Sequence, residues 1–143
     1  MSLPRALVIL MVATAVHSRA AESVISQIAD WPGLVAQAKK RGVDYRASVA
    51  RAEKGNTNAL KTVFRITPYT DGAAALMHCA VLRKLLDKLG DATFSQVLRS
   101  QSPTLRTKVV QAIDFDFGKP WQKYFPATYA LGTHDTRLLR GKQ

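Results

Sequence analysis

Glycines, prolines and helix-capping residues punctuate this chain so often that the segments between them suit only short helices. No strand-length run alternates apolar with polar residues. Together these facts point to an all-α architecture. Ser23–Ala29 carries Val24, Ile25 and Ile28 on one stripe. Asp30 is the expected cap of a second helix with Pro32 in its first turn, where a missing N–H costs nothing. Leu34, Val35 and Ala38 form its apolar face, and Lys39, Lys40 and Arg41 its last turn, before Gly42 as the C′ residue. Cations there complement the helix dipole. Asp44 opens a third helix that runs to Lys54 and closes at Gly55. It turns Tyr45, Val49 and Ala52 inward, with Arg46, Arg51 and Lys54 on the other side.

The next unit, Asn58–Ile66, places Leu60, Val63 and Phe64 inward and ends at Thr67-Pro68. The longest helix is expected from a cap at Thr70 or Asp71 to Leu89, stopped by Gly90. Met77, Cys79, Leu82, Leu85, Leu86 and Leu89 make its stripe, and Arg83 and Asp87 a supporting i,i+4 pair. Asp91 is expected to cap Ala92–Ser100, with Phe94, Val97 and Leu98 inward. Ser102 and Pro103 open Thr104–Phe115, with Leu105, Val109, Ala112 and Ile113 inward. No fixed-period repeat relates the two middle hairpins, Asn58–Leu89 and Asp91–Phe115. The expected fold is a small irregular helical bundle or a short stack of helical hairpins, with about six to seven helices.

The first twenty residues stand apart. Arg5 precedes an apolar run, Ala6–Val16, and Ser18 and Ala20 sit at −3 and −1 to a cut before Ala21. A helix over that run would span roughly 16 Å, about half of a ~30 Å hydrocarbon core, so a cleaved secretory leader fits better than an anchor. A buried N-terminal helix is the alternative. No later stretch is apolar for long enough to cross a membrane. The expected division is a leader over 1–20, a helical domain over 21–118 and an aromatic, basic tail over 119–143 packed on that domain. The expected address is the bacterial periplasm or the extracellular space; an endoplasmic reticulum lumen fits the same residues.

Cys79 is the single cysteine, so an intramolecular disulfide is impossible. Its apolar setting suggests a buried position, with an intermolecular disulfide or reactive thiol as the alternatives. Of 143 residues, cleavage of the first 20 leaves 123, enough for one domain with a hydrophobic core. Loss of Arg5 and Arg19 lowers the net charge from +11 to +9. The excess is local: between 39 and 65, Lys39, Lys40, Arg41, Arg46, Arg51, Lys54, Lys61 and Arg65 face only Asp44 and Glu53. Such a field attracts an anionic polymer, an anionic lipid surface or an acidic protein, though a basic balance also serves solubility. Arg46, Arg51, Lys54, Lys61 and Arg65 are the candidate anion-binding residues. No nucleic-acid-binding motif accompanies them.

Catalytic signals are weak. His78 adjoins Cys79, but neighbours on a helix diverge by about 100° and make no dyad. H-x-x-x-H and C-x-x-C spacings are absent, so no metal or cofactor is expected. Asp116-Phe117-Gly118 matches a kinase triplet without the loops that give it meaning. The concrete enzyme alternative is a hydrolase using Asp114, Asp116 and His134 near the C-terminal loop. From Phe117 on, Lys119-Pro120-Trp121 and Phe125-Pro126 interrupt helices, giving an extended tail. Its Trp121, Tyr124 and Tyr129, interleaved with Lys119 and Lys123, suit either a ligand-stacking surface or a strap that buries itself on the core. The leading expectation is an exported, non-catalytic binding or interaction module whose basic surface meets an anionic envelope partner. A structural subunit of an envelope assembly is a third possibility.

Overall fold

The computed structural model describes residues 22–116 and 120–132; the expected leader over 1–20, Lys119, His134 and the rest of the tail lie outside them. Among the described residues every regular element is helical. They are α1 (Val24–Ala29), α2 (Pro32–Lys39), α3 (Tyr45–Glu53), α4 (Thr57–Ile66), α5 (Gly72–Leu89), α6 (Asp91–Arg99) and α7 (Pro103–Asp116). A further helical run over 126–132 is α8. Short 3-10 turns cover Thr67–Tyr69 and Trp121–Lys123.

The 18-residue α5 is the axis of the bundle, touching α1, α2, α3, α6 and α7. That explains its composition: Ala74, His78, Val81, Leu82, Leu85 and Leu86 are all buried, a stripe wider than a surface helix needs. Cys79 is also buried, at 7% exposure. α3 and α4 form a tightly packed hairpin, α3 lying against α5 and α4 against α6. Phe64 of α4 meets Phe94 of α6 edge-on, ring centroids 4.9 Å apart, and joins the two middle hairpins. No described helix is long and apolar enough to cross a membrane.

The turns at Gly42 and Gly55 end their helices in the same way. The N–H of Val43 donates to the Ala38 carbonyl and that of Gly42 to Lys39; the N–H of Asn56 donates to Arg51 and that of Gly55 to Ala52. Both glycines take positive φ, 70° and 88°, as this double-bonded stop requires of the C′ residue. Ser23, Asp44 and Asn56 cap α1, α3 and α4 through side-chain oxygens that accept from Ser26, Ala47 and Ala59 N–H groups. Asn56 thus starts α4 earlier than the expected Asn58.

Three acidic residues expected as caps do other work. Asp30 is displaced from the α2 N-cap by Trp31, and its carboxylate pairs instead with Arg46. Asp71 is the backbone N-cap of α5, but its side chain accepts from Gln37 of α2, whose amide oxygen accepts the Asp71 N–H in return. Asp91 is the first residue of α6 rather than its cap, and its two carboxylate oxygens accept the N–H groups of Ala127 and Thr128 at 2.8 Å each. Those are orphan donors at the start of α8, so the carboxylate caps a helix distant in sequence.

Residues 120–132 are folded onto the domain. Trp121 is 1% exposed, its Nε1–H donates to Asp114 Oδ1 at 2.8 Å, and Tyr129 meets its ring edge-on. Where an extended tail was expected, Pro126 instead starts a helix, at the position where proline needs no N–H. Gly132 brings the α8 backbone so close to α7 that a Cβ there would meet Val110 Cγ1 at 2.5 Å.

Candidate functional site

The first feature with chemistry in it is a groove of about 670 Å3 between α3 and α4, closed at one end by the α2–α3 turn. Asp44, Ser48 and Arg51 line it from α3 and its cap, spaced four and three apart on one helical face. Thr62, Arg65 and Ile66 line it from α4, and Tyr69 from the 3-10 turn beyond. The chain reversal at Gly55 brings these two faces side by side. Arg41, carried in by the Gly42 turn, lays its guanidinium over the Tyr69 ring, 3.8 Å from the centroid.

Three arginines therefore line one concavity. Arg65 Nη2 donates to Thr62 Oγ1 at 3.1 Å, which orients it without neutralising it. Among the described residues, no carboxylate lies within ion-pair distance of Arg41, Arg51 or Arg65. Asp44, the groove's one acid, is spent on the α3 cap. Fold and groove together define a small all-α protein with an arginine-lined cleft.

The five candidate anion-binding residues are divided by this arrangement. Arg51 and Arg65 come together in the groove. Arg46, five residues before Arg51, faces elsewhere, beside Glu22 and Ser26, and is paired with Asp30. Lys54 and Lys61 stand outside the groove lining. Arg41 and Tyr69 are the residues that the sequence reading missed. Arg41 looked like ordinary dipole decoration, and nothing local announces that Tyr69 returns to it.

A second polar feature is buried. His78 of α5 is 1% exposed, with Tyr45 Oη 2.6 Å from Nδ1 and Thr67 Oγ1 2.9 Å from Nε2. With one ring proton to place, the phenol as the stronger donor gives to Nδ1 and Nε2–H donates to Thr67. Burial holds the imidazole neutral, its pKa lowered to about 3, and raises the Tyr45 phenol well above its ordinary value, with neighbouring Cys79 adding to the effect. Both ring nitrogens are engaged, so this is an internal brace between α3, α5 and the 3-10 turn. Near the bundle's other end, Glu53 accepts from Lys88 Nζ at 2.7 Å and Ser23 Oγ at 2.8 Å. Burial alone would raise its pKa, but those two hydrogen bonds and the adjacent lysines pull it below the ordinary value.

Of the aromatic candidates, Trp121 is buried, Tyr129 half-buried against it and Tyr124 exposed, so they do not form one surface. Asp114 is held by Trp121. The Asp116 side chain and His134 lie outside the described residues. No group of three or more His, Cys, Asp or Glu among the described residues could hold a metal ion. Comparison with protein-family models, with curated proteins and with solved structures finds no match to this chain.

Proposed function

We propose that this protein is an exported, non-catalytic binding module that takes an anionic group of an envelope partner into the arginine-lined groove. The observation that carries the reading is the convergence of Arg41, Arg51 and Arg65 on one groove with a single acid, Asp44, in its lining and no ion pair to any of the three among the described residues. Guanidinium is always charged, weakly hydrated and shaped for two-point contact with oxyanions, so an arginine cluster of this kind is better suited to anion recognition than to solubility. The leader-like 1–20 segment supports export, and an extracytoplasmic space offers anionic polymers and lipids as partners.

Retention on immobilised heparin, a soluble polyanion, tests the reading. Wild-type protein is expected to elute at clearly higher salt than the Arg51→Gln/Arg65→Gln double variant, whose exposed substitutions leave the fold intact. An Arg46→Gln/Lys54→Gln double variant, which removes the same two charges outside the groove, is expected to lose much less. Equal loss from the two double variants would mean that only net charge matters, and the site reading would fail.

A further inference from the structure

We infer that the groove's anion is a phosphomonoester carried on a flat ring, the chemistry of a nucleoside monophosphate. This rests on the reading of the groove as an anion site and specifies its ligand.

Charge is the first argument. Arg41, Arg51 and Arg65 against Asp44 leave a net charge of +2 in the cleft. A carboxylate would neutralise half of that, whereas a phosphomonoester carries about −1.5 to −2 at neutral pH and matches it. The donors suit it as well: Arg51 and Arg65 approach from opposite helices, each with a fork that can grip two oxygens. Shape is the second argument. Arg41 and Tyr69 are stacked 3.8 Å apart at one end of the cleft, and Tyr69 is 48% exposed. A stacked arginine–tyrosine pair offers a flat face of the kind on which nucleobases lie. Size is the third. A cleft of about 670 Å3 lies within the range of small-molecule sites and holds a mononucleotide. A bare phosphate would leave the platform end unfilled.

Calorimetric titration of the full chain with adenosine 5′-monophosphate tests this against three relatives. Ribose 5-phosphate keeps the phosphomonoester without the base, adenosine keeps the base without charge, and 3′,5′-cyclic adenosine monophosphate keeps the ring with one charge. The monophosphate is expected to bind at least about tenfold more tightly than each. Arg51→Lys and Arg65→Lys, which keep charge but lose the fork, are expected to weaken it about tenfold. Tyr69→Ala is expected to abolish the advantage over ribose 5-phosphate, while Tyr69→Phe keeps it. A 5′-phosphorylated trinucleotide separates the two sources of this chemistry, binding more tightly than the monophosphate if the ligand is a chain end and no more tightly if it is free. Equal affinity for ribose 5-phosphate overturns the ring platform, and equal affinity for the cyclic nucleotide overturns the phosphomonoester. If heparin retention depends on Arg51 and Arg65 while the monophosphate does not bind, the ligand inference is overturned and the anion-site reading stands. If neither depends on them, both fall.

Discussion

The stability of this protein is expected to fall in mild acid through one buried side chain. His78 lies inside the bundle with both ring nitrogens engaged, by Tyr45 at 2.6 Å and Thr67 at 2.9 Å. Its pKa is lowered by burial from 6.5 to about 3. Between those values the folded protein keeps the ring neutral while the unfolded chain protonates it, so the unfolded state binds the extra proton. The group's contribution is therefore complete above about pH 6.5 and is lost as pH falls toward 3. The slope is about 1.4 kcal/mol per pH unit, which makes the cost at pH 5 about 2 kcal/mol. Urea unfolding of wild type and His78→Gln at pH 7.5 and pH 5 reads it directly. The variant loses a buried hydrogen bond and is expected to be less stable by roughly 1–3 kcal/mol at pH 7.5. Glutamine does not titrate, whereas every other acid and base is common to both proteins. The gap should narrow by about 2 kcal/mol at pH 5. Parallel pH dependence in the two proteins would refute the argument.

Four further outcomes follow from the packing and the leader. Trp121→Ala should cost about 3–5 kcal/mol in thermal or urea unfolding, and Trp121→Phe less, because the ring remains but Asp114 loses its donor; an unchanged melting temperature would mean that Trp121 does not brace the domain. Gly132→Ala should cost about 1–3 kcal/mol, since its Cβ would overlap Val110, and combining it with Val110→Ala should recover part of that loss. Asp91→Asn removes one of two carboxylate acceptors from the start of α8 and should cost about 1–3 kcal/mol, with faster amide exchange at Ala127 and Thr128 than elsewhere. N-terminal sequencing of exported protein should begin at or near Ala21; a start at Met1 or Ser2 would sink the export proposal.

Helical period and local stop signals carry most of this fold, which is why those parts could be read in advance. Tyr45, Val49, Ala52, Leu60, Val63, Phe64, Leu82, Leu85, Phe94 and Ile113 are inward as their spacing requires. Gly42 and Gly55 mark helix ends because a left-handed stop is a local event, and Gly90, also at positive φ, separates α5 from α6. The departures concentrate at aspartates. Asp71 is the α5 N-cap residue as expected, whereas Asp30 lies one residue before the α2 cap and Asp91 is the first residue of α6; the carboxylates of Asp30, Asp71 and Asp91 reach Arg46, Gln37 and the α8 N–H groups. A cap is one hydrogen bond, and a partner from another element can displace it at little net cost. His78 was legible as helical but not as bonded, since Tyr45 and Thr67 are 33 and 11 residues away.

The groove shows the same limit from the functional side. Net charge between 39 and 65 marked the segment that forms the arginine-lined groove, because the composition of a segment does not depend on how it folds. Choosing among its eight bases required knowing which helical faces meet. Arg46 and Arg51 share a helix, but five residues turn one about 140° from the other, and only Arg51 enters the cleft. Arg65 joins it because the Gly55 turn sets α4 antiparallel to α3, and Arg41 because the Gly42 turn folds back over Tyr69. Each glycine is a recognisable stop, but the angle at which the next helix departs is set by packing, of α3 against α5 and of α4 against α3 and α6. Charge density thus marks the segment in which the groove lies, and the register of two helices decides which of its bases line it. That is why the groove pair, and not the neighbouring Arg46, should carry the specific part of any anion binding.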